Sequence, residues 1–145
     1  MKIDYLKTFA LFKRDARLYL VSSAILLFAL FGIYMVLFNL FLVRLGYGPR
    51  FVGLINAVGS LVFAVFCLLS GALGKQFGSR RIMIVGLCLC VLGIASAGLA
   101  EAIPTDLRSG WLLSANSVGW ISIAMFVVNG NPFLMQSTTE KEPLC

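Results

Sequence analysis

An all-α, multi-pass transmembrane helix bundle of four spans is the fold class this sequence predicts, and three observations predict it. Of its 145 residues, 60% are hydrophobic and only 12% charged, and the mean hydropathy is +0.96, a balance that does not describe a soluble domain. The charges are also segregated. Four runs, about residues 18–43, 51–73, 82–100 and 111–130, carry none, and every charge lies between or outside them. Each run is as long as a bilayer core is thick, because about 20 helical residues cover about 30 Å. The expected organisation is a tail over residues 1–17, a four-span domain over 18–132 and a closing segment over 133–145.

Met1 to Arg17 sets Lys2, Lys7, Lys13, Arg14 and Arg17 against Asp4 and Asp15, with Ile3, Leu6, Phe9 and Phe12 three apart. That spacing predicts a short helix lying in the membrane interface. A secretory leader has an apolar core of about 7–15 residues and a small-residue cleavage site. The apolar run after Arg17 is much longer, so residues 1–17 are expected to remain as a cytoplasmic tail. Leu18 to Val43 reaches roughly 39 Å as a helix, enough to cross with tilt. Arg44 and the turn-forming Gly46-Tyr47-Gly48-Pro49-Arg50 end it, with Tyr47 suited to headgroup depth.

The second span, Phe51 to Leu73, repeats small residues at spacings of four and three: Gly53, Ala57, Ser60, Ala64, Cys67 and Gly71. Bulky Leu54, Val58, Leu61, Val65 and Leu68 lie off that stripe. In lipid, apolar surface alone does not hold helices together, and a smooth stripe lets another backbone come close. The third span, Ile82 to Ala100, carries the same device in Gly86, Cys90, Gly93, Ala97 and Ala100. Both stripes are therefore expected to be packing faces. Between the two spans lies a short cationic stretch, expected to be a loop. Glu101 to Gly110 reads as a polar turn, after which Trp111 anchors the start of a fourth span at the interface. Asn129-Gly130-Asn131-Pro132 is expected to end or kink that span.

Composition excludes several kinds of chemistry. The chain has no histidine, so the commonest proton shuttle and metal ligand is missing. Cys67, Cys88 and Cys90 lie inside apolar runs, and Cys88 and Cys90 point about 200° apart on a helix, so they do not chelate one ion. They read as small packing residues, and no metal or other cofactor is expected. The +6 charge sits at the ends of apolar runs rather than in a patch interleaved with aromatics, which argues for membrane topology and against nucleic acid. No span holds an ionisable Asp, Glu, Lys, Arg or His, so neither a proton relay nor an enzyme's acid–base pair is available there.

The polar residues inside the spans are Tyr34, Asn39, Asn56, Asn116 and several serines. An amide without partners in hydrocarbon costs roughly a few kcal/mol, so each Asn faces protein or a water-filled cavity. Two readings remain for them: contacts to a substrate, or hydrogen bonds between helices.

The connecting stretch Gly71-Ala72-Leu73-Gly74-Lys75-Gln76-Phe77-Gly78-Ser79-Arg80-Arg81 fits G-x-L-x-x-x-x-G-x-[RK]-[RK] and stands between a second and a third span. It resembles the loop signature of the major facilitator superfamily of secondary transporters, with Gly71, Leu73, Gly78, Arg80 and Arg81 on its positions. Where that family usually carries an Asp followed by an Arg, this chain has Lys75 and Gln76, which exchanges a carboxylate for an ammonium. Phe38-Asn39-Leu40-Phe41-Leu42-Val43-Arg44-Leu45-Gly46-Tyr47 is similar to the end of the first span in bacterial members, and Asn131-Pro132-Phe133-Leu134-Met135 to the segment after their fourth.

The resemblance implies the N-terminal part of such a transporter: one three-helix repeat, the first helix of the next, and a truncated cytoplasmic segment over 133–145. It also implies a small solute, of unread identity, held near the midplane between two six-span halves. The partners expected are the lipid bilayer, that solute, and the remainder of the transporter or another copy of the chain. Lys75, Arg80 and Arg81 either brace the cytoplasmic side in one state or serve only as topology signals. Lys2, Lys7, Lys13, Arg14, Arg17, Lys75, Arg80, Arg81 and Lys141 fall on one side, against Arg44, Arg50 and Arg108 on the other. That bias predicts a multi-pass protein of the cell (inner or plasma) membrane with both termini cytoplasmic. A second function stays open, that of a small four-span membrane scaffold or interaction protein without transport.

Overall fold

A computed structural model of the chain describes residues 14–139, and every regular element in that range is helical. The tail predicted over Met1 to Arg17 lies outside the described residues up to residue 13, as does the closing stretch Glu140 to Cys145. The helices are α1 (Arg14–Leu27), a π-helical segment (Phe28–Tyr34), α2 (Met35–Arg44), α3 (Pro49–Phe77), α4 (Ser79–Gly98) with a 3-10 turn (Leu99–Ala102), and α5 (Thr105–Thr139). α1, the π segment and α2 run on as one rod. Among the described residues four stretches are long and apolar enough to cross a membrane: Arg17–Arg44, the first span, then Pro49–Phe77, Ser79–Ala102 and Thr105–Pro132.

Local chemistry ends each rod. The first span closes in a Schellman arrangement, with Gly46 at φ +86°, its N–H donating to Val43 O at 3.0 Å and the Tyr47 N–H to Leu42 O at 3.1 Å. These bonds satisfy carbonyls that the helix end would orphan. Pro49 then opens α3 in its first turn, where its missing N–H costs nothing. At the other membrane face α3 does not stop at Leu73. Lys75 and Gln76 are good helix formers, and the rod continues to Phe77. The stretch expected as a loop is reduced to Gly78, whose φ of +88° is open to glycine at no steric cost. Its carbonyl accepts from Arg81 N–H at 3.2 Å and Ile82 N–H at 3.3 Å, which starts α4 at once.

The fourth span also differs from its expectation at both ends. α5 begins at Thr105, after Pro104, so Trp111 sits inside the helix and donates Nε1–H to Ser96 O at 2.8 Å. The Glu101–Gly110 turn shrinks to the few residues before Thr105. There Arg108 donates to Ile103 O at 3.0 Å, and Arg44 pairs with Glu101 at 3.6 Å. At its far end α5 runs through Pro132 to Thr139.

Cross-helix contacts define an up-down-up-down bundle. Ile55 meets Asn116 and Ser70 meets Asn129, so α3 and α5 run parallel. Gly86 lies against Ser122 and Met125, and Gly93 against Gly119 and Ala115, so α4 and α5 run antiparallel. α5 is the central rod. Phe38, Leu42, Ile55, Ala97, Ala100, Leu112 and Ala115 make an apolar core toward the Gly46 end, while Ser70 and Asn129 make a small polar one toward Gly78.

The two small-residue stripes behave differently. On α4, Gly86, Cys90, Gly93, Ala97 and the following Ala100 are all buried, and a Cβ on Gly93 would lie 3.1 Å from the Gly119 nitrogen. This is backbone-to-backbone packing of the kind the stripe predicts. On α3 the expectation fails within these four helices. Gly53, Ala57, Ser60 and Ala64 are exposed, and the face turned to α5 carries Ile55, Gly59, Ser70 and Gly74. Spacing identifies a smooth face but not its neighbour, and α5 fits α3 where Gly59 and Gly74 leave room for its large side chains. The other exposed apolar side chains, among them Leu68 and Phe28, 81% and 70% exposed, suit a helix bundle bathed in acyl chains.

Candidate functional site

A cavity lies between the middle of the first span and α3, α4 and α5. Leu30, Phe31, Tyr34, Phe38, Asn56, Cys90, Asn116 and Trp120 are among its lining, and the partly open cavity holds about 40 Å³, room for a water or two. The π segment forms one wall and contributes Leu30, Phe31 and Tyr34. Its backbone does not approach α3, α4 or α5 closely, so the first span touches the others mainly through its two ends, and the gap between is bridged by side chains. π turns are rare and recur at functional sites.

The polar groups of the cavity are partly committed. Asn56 donates one amide hydrogen to Asn39 Oδ1 at 3.3 Å and the other to Val52 O, a turn back on its own helix, at 2.8 Å. Its own Oδ1 is what Asn56 still has to offer. Asn116, 7% exposed, donates to Ile55 O at 3.0 Å and so fastens α5 to α3. These amides tie helices together, and Asn56 and Asn116 also line the space. Tyr34 stacks on Phe38 with ring centroids 5.6 Å apart. The structure brings Tyr34, Asn56 and Asn116 to one cavity and puts Asn39 just outside it, as the residue that holds Asn56.

Trp120 completes the site, and sequence reasoning missed it. Its ring meets Phe31 edge-on at 6.4 Å and Phe63 at 5.8 Å. A Cβ on Gly59 would collide with the Trp120 indole ring and lie 2.9 Å from Asn116 Nδ2. Gly59, off the small-residue stripe, was the available signal that a large side chain from elsewhere needs the space.

The lining holds no charged side chain. An ion buried without a partner costs several kcal/mol even after relaxation, whereas a desolvated aromatic face returns to a cation only about 2 kcal/mol. Ions are therefore disfavoured here.

The signature residues gather at the opposite end from Gly46. Gly71, Leu73 and Lys75 lie on the last turns of α3, Gly78 is the link, and Arg80 and Arg81 open α4, with Lys75, Gly78, Arg80 and Arg81 exposed. Gly71, Lys75 and Gly78 border a broad groove that also touches Asn129 and Pro132. Behind it Asn129, 1% exposed, donates to Ser70 Oγ at 2.9 Å and Met125 O at 2.9 Å. Gly74 leaves the room for that amide, since a Cβ there would collide with Asn129 Oδ1.

Four apolar spans around a cavity, joined on one side by a glycine link with basic flanks, define a polytopic α-helical membrane protein. The family model of the Major Facilitator Superfamily matches residues 3–142, and the chain belongs to that superfamily of transporters. No curated protein and no solved structure matches it.

Proposed function

We propose that these four helices are part of a secondary transporter that moves a small solute by alternating access, and that they need a second bundle to do so. The observation that carries the reading is the cavity between the first span and α5, where Tyr34, Asn56, Asn116 and Trp120 meet. It sits midway along the rods, where transporters of inverted-repeat design hold their cargo. Its movable wall is the first span, which touches the others mainly near its ends. The excess of Lys and Arg in the flanks of one side supports cytoplasmic termini in the cell membrane.

The rival reading, a scaffold without transport, draws support from the exposed Gly53, Ala57, Ser60 and Ala64 on α3, a face smooth enough for another helix. Thiol labelling separates the two. With the native cysteines replaced, Asn56→Cys is expressed in cells and probed with an impermeant maleimide in right-side-out and inside-out membrane vesicles. A solute cavity reached by water gives labelling of position 56 from at least one side, with a control cysteine at Asp106 reacting only from the outside. Labelling of position 56 from neither side favours the scaffold.

A further inference from the structure

Resting on the transport reading, we propose that the solute class of this cavity is an electroneutral, single-ring molecule carrying one hydroxyl or N–H donor, a substituted phenol being the simplest example. Phe31, Tyr34, Phe38 and Trp120 give the lining aromatic surface, which suits a ring by stacking and edge-on contact. No lining side chain is charged, so a carboxylate or an ammonium would be buried without a counter-ion. Sugars and other polyols fail for the complementary reason: their many hydroxyls would be stripped of water against a nearly apolar wall.

The single donor follows from the amide bookkeeping. Both hydrogens of Asn56 are spent, on Asn39 Oδ1 and Val52 O. What Asn56 presents is an acceptor, and a guest without a donor leaves it unmatched. The guest is also small, because the partly open cavity holds only about 40 Å³ and its lining side chains have to give way to admit even one ring.

Tryptophan fluorescence reads the class directly. In a Trp111→Phe background Trp120 is the remaining indole, and the purified chain in detergent is titrated with para-propylphenol, its methyl ether, para-propylbenzoate and para-propylphenyl-trimethylammonium. The phenol is expected to quench saturably and to bind about tenfold more tightly than the ether, the worth of one hydrogen bond. The two charged analogues are expected to give no saturable quenching. Asn56→Leu should erase the phenol-over-ether preference while general partitioning into the micelle stays the same. Because that variant also loses the bond to Asn39, Asn39→Leu is the second probe: it removes the same bond and keeps the Asn56 carbonyl, so the phenol-over-ether preference should survive, and its loss there as well would overturn the proposal.

Saturable binding of either charged analogue to the Asn56 protein, absence of saturable phenol binding, or a phenol preference that survives Asn56→Leu overturns the proposal. Binding and labelling fail separately. Charged guests together with labelling of position 56 remove the solute class and keep the carrier, whereas phenol selectivity without any labelling does the reverse.

Discussion

Gly71 and Gly74 lie three residues apart on α3, and a methyl group would meet different surroundings at each. At Gly71 it would reach Val128 Cγ1 at 3.7 Å, an ordinary contact, while at Gly74 it would enter the Asn129 carboxamide. Asn129 has nowhere to retreat, because moving it breaks the bonds to Ser70 and Met125. Gly74→Ala is therefore expected to lower stability by roughly 1–3 kcal/mol, the usual cost of overpacking a closed site, and Gly71→Ala to change it by less than about 0.5 kcal/mol. Denaturation midpoints in mixed detergent micelles compare the two, and equal midpoints would show that the Asn129 clamp does not form. At this scale the sequence was half legible. A lone amide in an apolar run announces that it needs a partner, which marked Asn39, Asn56 and Asn116. Asn129 was hidden in an Asn-Gly-Asn-Pro phrase that reads as a helix end or kink, and of the two the end is not realised, because the helix persists through Pro132 with its backbone bonds kept internal.

The same lesson holds for whole helices, where α3 and α4 carry nearly identical patterns and opposite outcomes. α4 buries its stripe against α5 at backbone contact, and α3 turns Gly53, Ala57, Ser60 and Ala64 outward while Cys67 and Gly71 are half-buried. Gly93→Leu is expected to force α4 and α5 apart and cost at least roughly 1–3 kcal/mol. Ala64→Leu, on the exposed stripe, should leave the unfolding midpoint of the monomer where it was. Protease resistance in detergent distinguishes them, and similar loss from both would return the α3 stripe to the interior of this bundle. The number and order of the spans were legible because length and charge segregation depend on the bilayer alone. The helix ends were less so: the Gly78 link and the start at Thr105 depend on how far polar residues such as Lys75, Gln76 and Asp106 tolerate a helix beyond the apolar run. Pairing of faces was least legible, since it depends on the shape of the partner. Trp120 seats against Gly59, and neither residue belongs to a periodic pattern.

For the molecule as a whole, alternating access sets a requirement that these four helices do not meet unaided. Two bundles must rock about a shared site so that it opens to each side in turn, and here the cavity is enclosed by one group of helices around a single central rod, α5. The first span touches the others mainly near its ends, and among the described residues there is no second bundle to close the site. α3's exposed small-residue face, with Gly53, Ala57, Ser60 and Ala64, is where a further helix would have to pack. The purified chain reconstituted into liposomes is therefore expected to show no saturable uptake across a broad panel of sugars, drugs, organic ions and neutral phenols, even where a phenol binds in detergent. Binding without flux is the outcome that separates an intact cavity from a complete transporter. Saturable uptake abolished by Asn39→Leu, which removes the residue holding Asn56 in place, would refute this requirement and identify a carrier that assembles from copies of the four-span chain.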